Sequence, residues 1–80
     1  MIFLIEYDRK NGKLVKMETY IDSERQKVDD ARLALELNLF RRGISHEVVT
    51  LEALSEAVIR TTHRRYFETL EQLATLPLSQ

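Results

Sequence analysis

Residues 2–21, Ile2-Phe3-Leu4-Ile5-Glu6-Tyr7-Asp8-Arg9-Lys10-Asn11-Gly12-Lys13-Leu14-Val15-Lys16-Met17-Glu18-Thr19-Tyr20-Ile21, decide the fold. Segments 2–8 and 13–21 read as two strands around a turn at Lys10-Asn11-Gly12. A two-residue Asn11-Gly12 loop sets Tyr7 opposite Lys16 and Ile5 opposite Glu18, so both faces mix apolar and charged groups. A three-residue loop with Gly12 left-handed sets Tyr7 opposite Val15, Ile5 opposite Met17 and Phe3 opposite Thr19. One face then carries Phe3, Ile5, Tyr7, Val15, Met17 and Ile21, with Thr19 its only polar member. The other carries Glu6 opposite Lys16, with Asp8, Glu18 and Tyr20. A one-residue slip exchanges the faces, so this consistency selects the longer loop.

The run from Ser23 to Arg42 has no glycine or proline and is rich in Leu, Ala, Glu and Arg. Asp22 or Ser23 caps it, Arg41 and Arg42 suit its negative end, and Gly43 stops it. This helix has two apolar stripes. Val28, Ala31, Leu35 and Leu39 form one; Leu33, Leu37 and Phe40 form the other, with Ala34 between them. The clear polar strip is Arg25, Asp29, Arg32 and Glu36. A helix lying on a sheet needs one stripe. The second predicts another contact, either the second helix or a partner.

Residues 46–53 alternate loosely, and Val48-Val49-Thr50 favours a strand over a helix starting near Glu47. Ser55 caps a second helix, expected over about 55–75, with Ala57, Val58, Ile59, Thr62, Tyr66 and Phe67 on its buried side. Leu70, Leu73 and Leu76 keep a three-residue spacing, and residues 77–80 are expected to fray. The order is β-β-α-β-α in one domain of 80 residues. The first strand is the most continuously apolar and belongs in the centre. The expectation is therefore an α+β two-layer sandwich: a three-stranded, mainly antiparallel sheet of order 2-1-3 with two helices on one face.

Composition narrows the chemistry. A chain this short buries roughly 60–65% of its unfolded surface, so its core is small. Without cysteine there is no disulfide, thiolate chemistry or cysteine zinc site. A net charge of −1 supplies no field that gathers nucleic acid. The longest apolar run, Met1 to Ile5, is too short to span a membrane and lacks a signal-peptide pattern. A cytoplasmic protein without cofactor is the default expectation.

Three groups bear chemistry. Arg60, His63, Arg64 and Arg65 would form a helix patch able to hold a phosphate or nucleic acid. The ordinary reading is a solvated face near a helix C-terminus. His46 and His63 lie on separate elements without ligand spacing, so no metal site is expected. Ser45 and Ser55 sit in loop and cap contexts, so no catalytic site is expected either. The hairpin tip Asp8-Arg9-Lys10-Asn11-Gly12-Lys13 is polar as wet tips are. Exposed sheet aromatics of the kind RNA-binding sheets use reduce to Tyr20. Leu51-Glu52-Ala53-Leu54-Ser55-Glu56-Ala57, followed by Thr62-His63-Arg64-Arg65-Tyr66-Phe67, resembles segments of small bacterial proteins. That resemblance names no family and transfers no functional residue. The function expected is non-enzymatic: a protein–protein interaction module, homodimeric through Leu33, Leu37 and Phe40. The alternative is a nucleic-acid-associated regulator using Arg60, Arg64 and Arg65.

Overall fold

The computed structural model describes residues 1–67. Strands β1 (Ile2–Asp8), β2 (Lys13–Tyr20) and β3 (Glu47–Glu52) and helices α1 (Arg25–Arg41) and α2 (Glu56–Thr62) follow in the expected order. One-turn 3-10 segments, Asp22–Glu24 and Arg64–Tyr66, precede α1 and follow α2. The sheet has the order β2-β1-β3 with both pairings antiparallel. The α+β class, the strand order and the pair of helices therefore stand as expected.

The hairpin register is the expected one through Phe3 opposite Thr19, Ile5 opposite Met17 and Glu6 opposite Lys16. It then shifts. Tyr7 faces Leu14, not Val15, and Asp8 faces Lys13. Val15 is the extra residue of a β-bulge and is half exposed. Arg9 joins the loop because Asp8 organises it. Asp8 Oδ1 accepts the N–H groups of Lys10 and Asn11 at 3.1 Å each, and Oδ2 accepts the Asn11 amide at 2.6 Å. Gly12 closes the loop at φ +66°, in the left-handed region.

The layering differs from the expected one. Residues 2–7 of β1 are all buried, so both faces of the central strand are covered. On the Phe3/Ile5/Tyr7 face, Tyr66 and Phe67 pack with Leu14, Met17, Val49 and Leu51. The Tyr66 ring meets Tyr7 edge-on at 5.1 Å. On the Ile2/Leu4/Glu6 face lies α1, with Val28 and Leu39 buried. Arg25 at its start bonds Glu52, the register partner of Ile2, at 2.6 Å. α1 and the 3-10 turn that follows α2 thus cover opposite faces of the sheet. An uninterrupted Ile2-Phe3-Leu4-Ile5 run places apolar groups on both sides of the pleat, and each side needs a cover.

Local chemistry sets the ends. Gly43, at φ +66°, stops α1: its N–H bonds Phe40 O at 3.1 Å, and Ile44 N–H bonds Leu39 O at 2.9 Å. Ser55 Oγ accepts Val58 N–H at 3.2 Å and starts α2. The helix ends at Thr62, well before residue 75. Thr61 and Thr62 turn their hydroxyls back onto the carbonyls of Ala57 and Val58. His63 leaves helical geometry at φ −126°, ψ 53°. The expected helical leucines Leu70, Leu73 and Leu76 and the frayed tail lie outside the described residues.

Candidate functional site: an apolar helix face and a histidine held by carboxylates

The two stripes of α1 face opposite ways. Val28 and Leu39 are buried against the sheet, with Ala31 and Leu35 partly buried beside them. Leu33, Leu37 and Phe40 stand on the solvent side, 58%, 44% and 82% exposed. At these exposures they are open to solvent, while residues 68–75 of the expected second helix lie outside the described residues. Polar pairs hold the flanks: Arg32 Nε to Glu36 at 3.2 Å and Gln26 to Asp30 at 3.0 Å.

The arginine-rich segment does not gather into one helix patch, because α2 ends before Arg64. Arg60 bonds Glu56 at 2.9 Å and lies 4.7 Å over the Phe67 ring. Arg65 bonds Glu47 at 2.9 Å and the Tyr66 hydroxyl oxygen at 2.6 Å, and stacks 4.2 Å over that ring. The Tyr66 hydroxyl in turn donates to Glu47 at 2.8 Å. Burial works against ionised Glu47, but Tyr66, Arg65 and Arg9 outweigh it and hold its carboxyl below the usual range. Burial, reinforced by Glu47, pushes the Tyr66 phenol up. His63 Nδ1 is 2.9 Å from Thr62 Oγ1, and its ring stacks on Tyr66. Arg64, half-buried, sits in the 3-10 turn beyond the helix.

A third arrangement escaped the sequence reading. Glu6, only 7% exposed, points to the α1 side of β1. His46, just before β3, places Nδ1 2.6 Å from Glu6 Oε2 and Nε2 3.8 Å from Asp8 Oδ2. Asp8 is held below the usual carboxylate range, first by the Asn11 side-chain amide. The imidazole sits beside an open cleft of about 600 Å³ between the hairpin tip and the loop 44–46. A smaller cleft of about 250 Å³ runs from His46 past Val48 to Phe40. The arrangement fixes the ring orientation between the two carboxylates. Among the described residues no group of three or more His, Asp or Glu side chains is placed to hold a metal ion. The signal missed was Glu6 itself, a carboxylate inside the most apolar strand of the chain. No helix among the described residues is long and apolar enough to cross a membrane.

The chain matches no protein family, no curated protein and no solved structure.

Proposed function

We propose that this protein is a non-enzymatic interaction module that acts through self-association as a homodimer. The supporting observation is the outward face of α1. Leu33, Leu37 and Phe40 are exposed together, on the side of the helix that the fold does not use. Fully burying a side chain of this size is worth roughly 1.5–3 kcal/mol, so a stripe of this kind favours a partner over water. A net charge of −1 opposes pairing only weakly.

Sedimentation velocity over a wide concentration range tests the reading. Wild-type protein is expected to dimerise, and Leu37→Glu to shift the equilibrium toward monomer by at least about 100-fold, the effect of roughly 2.7 kcal/mol. Far-UV circular dichroism should be unchanged, because Leu37 contributes little to the intramolecular core. A wild-type protein that stays monomeric throughout overturns the proposal.

The alternative, a nucleic-acid-associated regulator, rests on Arg60, Arg64 and Arg65. It draws less support, since Arg60 and Arg65 are engaged by Glu56 and Glu47. Oligonucleotide binding that falls steeply with salt would favour it.

A further inference from the structure

In the cleft of about 600 Å³ between the hairpin tip and residues 44–46, the carboxylates are engaged and the donors are not. Asp8, on the cleft wall, gives Oδ1 to the N–H groups of Lys10 and Asn11 and Oδ2 to the Asn11 amide. Glu6, only 7% exposed, holds His46 Nδ1 at 2.6 Å. The donors on the wall have few partners. Neither the Lys10 ammonium nor the Ser45 hydroxyl makes an ion pair or hydrogen bond among the described residues. The Arg9 side chain is 73% exposed and its Nε stands 3.8 Å from Glu47, a loose contact worth little in water. His46 Nε2 lies 3.8 Å from Asp8 Oδ2, beyond hydrogen-bond distance. Ile44 is the wall's one apolar side chain, so the cleft suits a compact polar ligand.

We propose that this cleft binds the phosphate group of a small phosphorylated molecule, with Arg9, Lys10, Ser45 and protonated His46 as its donors. Guanidinium and ammonium groups supply the charge, and the Arg9 fork matches two phosphate oxygens at once. Turning to a ligand costs Arg9 only its loose contact, because Arg65 and Tyr66 already hold the other oxygen of Glu47. His46 decides when the site is complete. A neutral ring that donates from Nδ1 to Glu6 leaves a bare lone pair at Nε2, which repels an anion. A protonated ring presents an N–H at the same place. The charged groups around the imidazole are Glu6 and Asp8 on β1, Arg9 and Lys10 at the tip, and Glu47 next in sequence. On the α1 side Glu36 shares the smaller cleft with it and is paired with Arg32. A net charge of −1 gives the molecule no field to gather a nucleic-acid backbone, which favours a small ligand.

The chain's two histidines supply a probe and its control. His46 lines the cleft, whereas His63 stacks on Tyr66 away from it. Sulfate, whose charge is constant across the range in which histidine titrates, is the first ligand to add to wild-type protein. At about pH 6 it should move the imidazole NMR signals of His46 saturably, against chloride of equal ionic strength, and leave those of His63 in place. Its affinity should fall at least about tenfold on raising the pH to about 8. Glycerol phosphate should saturate the same signals at about pH 6. Arg9→Gln and Lys10→Gln, both at exposed positions, should each weaken binding about tenfold. Shifts of both histidines alike, or shifts that do not saturate, mean general ionic screening and overturn the proposal. Equal sulfate affinity at the two pH values removes His46 from the site and also overturns it. A short single-stranded oligonucleotide that moves His46 at a lower phosphate concentration than glycerol phosphate would assign the cleft to a polymer backbone, and overturns the small-ligand reading. None of these outcomes depends on whether the protein dimerises, and the wild-type measurements stand even if a variant fails to fold.

Discussion

Glu6 shows how one residue can be assigned to the right strand and the wrong environment. The hairpin register pairs it with Lys16, and that pairing is real. Yet Lys16 Nζ approaches Glu18 at 3.5 Å, while the Glu6 carboxylate reaches His46 across 40 positions of sequence. The reason is desolvation. Once α1 lies on that face, a carboxylate in the strand needs a close hydrogen-bonding partner, and the loop before β3 supplies one. Replacing His46 with alanine leaves Glu6 buried without it. His46→Ala is expected to cost about 1.5–3 kcal/mol in urea unfolding, and His46→Gln, which keeps a donor, clearly less. Equal losses in the two variants would mean that ring packing, not the carboxylate bond, holds His46 in place.

At the scale of elements, α1 and α2 owe their existence to different things. The long helix follows from composition, a glycine stop and a stripe that the sheet buries, all visible in the sequence. With 7 residues, α2 is too short to persist by propensity. Its Ser55 cap and the fully buried Ile59 anchor it. Ser55→Ala should lower stability by about 1 kcal/mol in chemical denaturation. It should also loosen Tyr66 against Tyr7, read as a change in near-UV circular dichroism. Unchanged stability would mean that packing alone starts the helix. The helix's end was hidden for a physical reason. Thr61, Thr62 and His63 do not forbid a helix, and it is the docking of Tyr66 onto Tyr7 that favours the turn there. The bulge in β2 is similar. The Asp8-to-Asn11 spacing carries the turn, but only the completed hydrogen bonds show that Arg9 belongs to the loop.

For the whole molecule, the ion pairs and buried phenols predict a plateau of stability with two limbs. The carboxyls of Glu47, Asp8 and Glu24 are all held below their usual values. For Glu24 the largest cause is the backbone N–H of Ile21. Groups lowered in the folded state stabilise it above the ordinary carboxylate value, and that contribution disappears as pH falls below about 4.5. Tyr66 and Tyr20 are raised, chiefly by burial. Their contribution is complete below the ordinary phenol value and is lost as pH rises above about 10. Thermal midpoints taken at constant ionic strength should therefore be flattest between about pH 5 and 9. Glu47→Gln should shallow the acid limb and Tyr66→Phe the alkaline one. An acid limb unaltered in Glu47→Gln would remove the Glu47–Arg65–Tyr66 network from the account.

The sequence by itself determined the hairpin, the long helix with its Gly43 stop, the third strand, the Ser55 cap and the 2-1-3 order, whereas neither Asp22 nor Ser23 caps α1, both lying in the 3-10 turn before it. Each depends on a period, a turn or a terminus confined to a few neighbouring residues. Tertiary structure alone decided that α1 and the turn after α2 cover opposite sheet faces. It also brought Glu6 to His46, divided the arginines between Glu56 and Glu47, and turned Leu33, Leu37 and Phe40 outward. Each of these depends on which distant segments meet. Local periodicity tells an element that it has an apolar side; only the finished packing chooses what that side will touch.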